Sequence, residues 1–295
     1  MTTRIQNERL RRPSGIRTLE LGEITVTYIP DGAIQLTPRG WLPDTTDEVW
    51  DAHPEYLDGS GNLVGSIGGL LVRHEGRGLL IDAGFGPQTA DAVPGNPYGA
   101  IRGGALLDNL SLSGWAPRDI EAVAFTHLHT DHIGWAYAAA AGSERPAFEG
   151  ADYLVSEPEW AQRHLLEDVG TTGRMLAAMA PQVRTITDGQ EIFPGVKARF
   201  IPGHTAGHVA YVVESGGQRL VAFGDALHSP IQIAHPEWSA VLDHDCAQSA
   251  DFRRRLVAEL QEPDTIGFGV HFADVVFGTV RRDDDGRPSW RPFGA

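Results

Sequence analysis

The stretch Ile120-Glu121-Ala122-Val123-Ala124-Phe125-Thr126-His127-Leu128-His129-Thr130-Asp131-His132 decides how the chain is read. Its first part, 120–125, has the apolar character of a buried strand. Its second part packs His127, His129, Asp131 and His132 into six residues. Residues two apart in an extended segment point the same way, so His127 and His129 can face one metal ion. Asp131 and His132 lie past the bend and can face a second. Burying four ionisable groups together is costly unless something compensates them, and metal coordination does so.

Working outward, His204, Asp225 and His271 each follow a predicted apolar strand, at 196–201, 219–223 and 265–270. A sheet gathers such strand ends at one rim, where they could meet the first cluster. The sum is five histidines and two aspartates. Nitrogen and oxygen donors without thiolate suit zinc, and also iron, manganese or cobalt. The rest of the chain alternates predicted strands with helices, including 105–112, 133–141, 158–168, 173–180 and 245–260. The last of these is read with Arg253, Arg254 and Arg255 on its exposed side. Residues 1–17 read as a loose arm or a subunit-crossing strand, and 30–62 as a long irregular connection. No repeat or linker divides residues 18–295, so a single α/β sandwich domain is expected.

Composition narrows the function classes. The 295 residues carry 24 basic and 39 acidic side chains, a net charge of −15. That surface repels phosphate backbones and anionic lipid, so neither nucleic acid nor a membrane is an expected partner. The single cysteine, Cys246, excludes an internal disulfide and a thiolate zinc finger, and is read as a passive buried residue. With no apolar run long enough for a span and no signal-like N-terminus, a cytoplasmic location is the expectation. No Gly-x-Ser-x-Gly elbow supports a serine nucleophile.

In type, order and strand-end position the motifs resemble the metallo-β-lactamase-fold hydrolase superfamily. They are His127-x-His129-x-Asp131-His132, Gly203-His204-Thr205-x-Gly207-His208, Gly224-Asp225 and His271, led by Leu79-Leu80-Ile81-Asp82-Ala83-Gly84. The resemblance spans roughly 18–295 and implies a four-layer αβ/βα sandwich with a dinuclear site at one edge. It implies that His127, His129 and His204 hold one ion, that Asp131, His132 and His271 hold the other, and that Asp225 bridges them. Asp225, followed by His235-Pro236-Glu237, Asp243 and Asp245, is similar to the branch of quorum-quenching lactonases and methyl-parathion-type hydrolases.

Carried over, the cofactors are two divalent ions, zinc first, with manganese, cobalt or iron as alternatives. Two such ions lower the pKa of a bridging water towards neutrality and so supply hydroxide at pH 7. The implied activity is hydrolysis of a small-molecule lactone or carboxylic ester. A phosphotriesterase or thioesterase is the alternative, and a β-lactamase or mononuclear iron dioxygenase stands further off. Asp225 and Asp131 are the expected catalytic carboxylates. Asp82 and His208 are expected behind the ligands, with Thr205 bonding backbone near His204. Trp135, His228 and Phe272 are expected at the substrate pocket, with Trp41, Trp50, Tyr56 and Phe277 as further aromatic candidates. A homodimer is also implied.

Overall fold

The computed structural model describes residues 7–140, 142, 143 and 145–293. Residues 1–6 of the expected arm, Ala141 of the expected 133–141 helix, and the last two residues of the expected domain lie outside them. The first sheet contains β1 (Arg17–Leu21), β2 (Ile24–Leu36), β3 (Leu63–His74), β4 (Arg77–Ile81), β5 (Thr89–Ala90), β6 (Tyr98–Arg102), β7 (Ala122–Ala124), β8 (Asp152–Ser156) and β9 (Val183–Ile186). Their order is β5-β6-β2-β3-β4-β7-β8-β9, with β1 paired to β2. The second sheet runs in sequence order through β10 (Glu191–Phe193), β11 (Val196–Phe200), β12 (Val209–Ser215), β13 (Gln218–Ala222), β14 (Thr265–Phe268), β15 (Phe277–Arg282) and β16 (Pro288–Pro292).

The strand sequences explain the layering. Val26, Tyr28, Leu70, Val72, Leu79 and Ile81 face the second sheet, where Val209, Tyr211, Val213, Leu220 and Ala222 meet them. The alternate residues Ile29, Leu71, Leu80 and Val123 face an outer layer with Leu106, Leu110, Ile133 and Met179. On the far side, Ala210 and Val221 pack beneath Leu256, Val257 and Leu260 of the helix Cys246–Glu259. Period-two strands with both faces apolar need cover on both sides, and the outcome is the four-layer αβ/βα sandwich. Among the described residues no helix is long and apolar enough to cross a membrane.

Several expectations need correction. The 30–62 connection is largely ordered: β2 continues to Leu36, and helices follow at Pro38–Trp41 and Asp47–Ala52. Trp41, Leu42 and Trp50 bury themselves against Ile231 and Trp238, which gives those turns their cover. The 158–168 helix is broken into Glu157–Ala161 and a 3-10 segment, Arg163–Val169. Arg253 is fully buried, unlike Arg254 and Arg255, because it pairs with buried Asp243. Cys246 is exposed at the start of its helix, with Asp245 as the N-cap. The described part of the arm, 7–17, docks on its own chain at Asp274 and Ser66.

Candidate metal centre

Five strand ends deliver the chemistry to one edge. The parallel pair β4 and β7 ends in Asp82 and in the His127 loop, and the parallel pair β13 and β14 ends in Asp225 and His271. β11 leads into His204. Strands that run parallel terminate on the same rim, so residues far apart in sequence converge there. At the start of the Asp225 turn, Gly224 has φ +50, and a Cβ there would lie 2.7 Å from His208 Nε2 and 2.8 Å from Thr126 Cβ. Only glycine lets that turn pass so close.

Two sets of donor atoms result: His127, His129, His204 and Asp225, then Asp131, His132 and His271. Within each set the atoms lie within 4.8 Å of one another. Asp225 divides its carboxylate between them. Its Oδ2 lies 3.4 Å from His204 Nε2 and 3.7 Å from His127 Nε2, while its Oδ1 lies 3.2 Å from His132 Nε2 and 3.1 Å from His271 Nε2. All these groups are buried except Asp131, whose side chain keeps 18% exposure.

The outward faces of the rings are fixed by partners. His132 Nδ1 donates to Asp82 Oδ2 at 2.9 Å, and Thr126 Oγ1 donates to the same oxygen at 2.9 Å. Thr126 Oγ1 in turn accepts from His127 Nδ1 at 3.1 Å. His204 Nδ1 donates to Asp243 Oδ1 at 2.9 Å, and His271 Nδ1 to the Ser66 carbonyl at 2.8 Å. Such contacts fix ring orientation and leave the other nitrogen as the donor to a metal. The inward atoms fit that use: His127 Nε2, His132 Nε2 and Asp225 Oδ1 are buried without a hydrogen-bond partner. Buried polar atoms are rarely left so. With five imidazoles, two carboxylates and no thiolate, the set fits divalent ions of the zinc class.

Electrostatics separates the two sets. Burial first, then the neighbouring histidines, push His127 and His129 well below the ordinary histidine range. Burial acts the same way on His132 and His271, but the carboxylates, Asp225 foremost, outweigh it and raise both. Asp225 is held well below the carboxylate range: burial opposes its charge, and His271 and His132 more than offset this.

The remaining sequence expectations divide. Asp82 stands behind His132 and, through Thr126, behind His127. It adopts a left-handed φ of 62° to do so, an uncommon conformation for a residue with a Cβ. His208 Nε2 accepts the Asp225 backbone N–H at 3.1 Å. His228 lines the cavity and places Nε2 3.1 Å from Asp225 Oδ2. Trp135 and Phe272 do not line that cavity. Trp135 donates Nε1 to Asp31 in the outer layer, and Phe272 packs on Phe223 and Trp290. Adjacency to a ligand in sequence suggested both, but the neighbouring side chains turn to the core. Trp41 lines the cavity, Trp50 and Tyr56 pack in the apolar cluster around it, and Phe277 lies in the inter-sheet core. Thr205 Oγ1 bonds the Glu159 carboxylate rather than backbone.

Sequence reading missed Asp243, Glu159 and Tyr98. Buried Glu159 accepts from Leu128 N, Gly207 N and Thr205 Oγ1, tying the two histidine loops together. Its position in a polar helix start resembled ordinary surface. Tyr98 lines the cavity beside Trp41, with ring centroids 5.5 Å apart. Its strand, β6, is short and carries little alternation. Asp243 did carry a signal, since it lies in the string that follows Asp225.

The cavity of ≈ 90 Å³ opens on His129, Asp131, Asp225, His228 and His271, with Ile34, Leu36, Trp41, Phe85, Tyr98 and Ile101 forming its apolar wall. A second cavity, ≈ 130 Å³, adjoins it at His129, Val169 and Leu242.

A family model described as the metallo-beta-lactamase superfamily matches residues 69–269. An N-acyl homoserine lactonase of Bacillus cereus is 23% identical over 207 residues, covering 66% of this chain and 76% of its own. A metallo-beta-lactamase domain-containing protein 1 of Rattus norvegicus is 34% identical over 106 residues, covering 35% of this chain and 32% of its own. Among solved structures, AidC, a dizinc quorum-quenching lactonase in complex with a product, superposes with a TM-score of 0.81 at 23% identity. That match covers 96% of this chain and 99% of the other. The hydrolase AbOPH superposes with a TM-score of 0.78 at 23% identity, covering 97% and 99%. At such identity the likeness is one of fold.

Proposed function

The chain belongs to the metallo-beta-lactamase superfamily, and from that premise we propose that it is a dinuclear metal-dependent hydrolase acting on a lactone or other carboxylic ester. The observation that carries the reading is Asp225, whose two oxygens address two separate histidine sets, each with one inward nitrogen, His127 Nε2 and His132 Nε2, buried without a hydrogen-bond partner. His127, His129 and His204 would hold one ion and Asp131, His132 and His271 the other, with Asp225 shared. Two divalent ions so held supply Lewis acidity and a hydroxide nucleophile near neutral pH.

The protein's own contribution is orientation and shelter. Asp82, Thr126, Asp243 and the Ser66 carbonyl hold the rings in their donor tautomers. His228 Nε2–H, at 3.1 Å from Asp225 Oδ2, steadies the shared carboxylate, and the T-shaped contact with Trp41 at 4.9 Å fixes the His228 ring. Asp131, the most exposed of the set, presents its carboxylate at the cavity. The wall of Ile34, Leu36, Trp41 and Phe85 would take an acyl chain and exclude water around the reacting group. The lactonases among the relatives support an ester or lactone over other acyl substrates.

The test is a rate panel on protein stripped by chelator and reloaded with zinc, manganese or cobalt. It holds acyl-homoserine lactones, aryl esters, a thioester, a phosphotriester and a cephalosporin. The expected result is preference for lactones, with Trp41→Ala lowering kcat/KM for a hexanoyl substrate by about 10-fold, the effect of about 1.5 kcal/mol of lost apolar contact. Fast phosphotriester turnover with poor lactone hydrolysis would replace the reading with the phosphotriesterase alternative.

A further inference from the structure

We infer that the N-terminal arm, residues 7–17, is a positioning element of the Asp131–His132–His271 set, acting through the loop that carries His271. The inference rests on the two-ion reading above. It begins with Ser66, whose carbonyl accepts from His271 Nδ1 at 2.8 Å and so sets the direction of the ring. The same residue's Oγ accepts the Ser14 backbone N–H at 2.8 Å and donates to the Ala273 carbonyl at 2.9 Å. One serine thus joins the arm, the loop after His271 and the His271 ring.

The loop needs holding. Ala273 has φ 42, a left-handed conformation that alanine adopts at a cost, and its N–H bonds the His271 carbonyl at 2.8 Å. The next residue, Asp274, has a side chain only 2% exposed. Arg12 donates Nε and Nη2 to its Oδ2 at 3.0 and 2.8 Å, Arg17 donates Nη2 to its Oδ1 at 2.6 Å, and Ser14 Oγ lies 3.3 Å from Oδ1. Arg9 Nε donates to the Asp274 carbonyl at 2.9 Å, and the Asp274 N–H returns a bond to the Arg9 carbonyl at 3.1 Å. Every one of these charged donors comes from the arm. Burial works against the Asp274 charge, yet the bonds from Arg17 and Arg12 outweigh it and lower its pKa. Without the arm a buried carboxylate would lose its charge partners, an arrangement that proteins tolerate poorly. The loop would then relax, and His271 with it. The other donor set is held elsewhere: its outer partners are Thr126 and Asp243.

The test uses the full chain with Arg12→Met and Arg17→Met together. Their side chains are 58% and 41% exposed, so the core need not change. Metal-free protein is titrated with cobalt against a competing chelator, and the absorption of each bound ion is followed. The expected result is two ions in the wild type and, in the variant, one ion of unchanged affinity and one weakened about 10- to 100-fold. Arg12→Lys with Arg17→Lys should recover part of the loss. If the double variant fails to fold, Ser66→Ala decides, because it cuts the serine link while leaving every arginine in place. The same selective weakening is expected there. Equal weakening of both ions, or none, overturns the role of the arm while leaving the two-ion reading standing. A wild type that binds only one ion overturns the two-ion reading, and this inference falls with it.

Discussion

The two donor sets share Asp225 but are built from different parts of the molecule. His127, His129 and His204 are anchored from the interior: Asp243 holds His204, and Arg253, itself fully buried, holds Asp243 at 2.9 Å. The other set meets the rim through Asp131, which is partly exposed, and through the His271 loop, tied to arginines whose heads reach solvent, while His132 is itself fully buried. The charges differ as well. Burial pushes the pKa values of His127 and His129 down, whereas the surrounding carboxylates raise those of His132 and His271. A centre assembled this way has one half set by the packing of the core and one half set by a docked segment. Loss of an ion should therefore begin at the rim.

The largest effect should come from the one residue that makes the comparison possible. Asp225→Ala removes the carboxylate common to both sets and leaves two histidine clusters facing an apolar gap. We expect both ions to weaken and kcat/KM to fall by about 10³-fold or more, the size of the several kcal/mol that a correctly placed metal provides. Metal stoichiometry and initial rates check it together. Full turnover with two ions retained would show that the halves do not depend on a shared bridge.

Asp243 separates the halves more finely. Asp243→Asn should weaken the His127–His129–His204 ion about 10- to 100-fold and spare the other, the reverse of the arm variants. It should also cost about 3–5 kcal/mol of stability, because Arg253 would keep its charge with no counter-ion in the core. Replacing both partners, Asp243→Leu with Arg253→Met, should recover much of that stability in denaturant unfolding without recovering the ion. Recovery of both would mean that Asp243 matters for folding alone.

These distinctions were unevenly legible in the sequence. The sandwich could be read because its strands are short apolar runs, as in β3, β4, β12 and β13, and because histidines or an aspartate stand just after β7, β11, β13 and β14. The seven candidate donor positions, which the fold brings together, were equally open, since their spacing is their signal. Asp82 was reached through its place at the end of an apolar strand. What stayed hidden depends on long-range partners. Arg253 is read as surface because it sits among three consecutive arginines, and only its meeting with Asp243 across ten residues makes it core. Ser66 acts on His271 through a backbone carbonyl, which no side-chain pattern records. Trp135 and Phe272 misled because nearness in sequence to a ligand does not set side-chain direction. The order within 30–62 comes from burial of Trp41 and Trp50 against Trp238, a tertiary contact that local propensity does not contain.

The smallest effect tests the electrostatic side of the comparison. His208 is fully buried with the interior set, its ring centroid 5.2 Å from that of His127 and 5.7 Å from that of His204. Burial, then the neighbouring His204, push its pKa down to about 3 from the ordinary 6.5. In the unfolded chain His208 binds a proton below about pH 6.5, while in the folded protein it stays neutral until about pH 3. The unfolded state therefore binds more protons across that window. Stability is fully present above pH 6.5 and falls as pH drops, by up to about 1.4 kcal/mol per pH unit for this one group. His208→Gln, which keeps an acceptor for the Asp225 N–H, should cut the slope of unfolding free energy against pH by about one proton between pH 6 and pH 4. Metal-free protein is the sample to use, because bound ions add their own proton release. An unchanged slope would mean that His208 takes up a proton in the folded state as readily as in the unfolded chain. The interior set would then be no more hostile to charge than the rim.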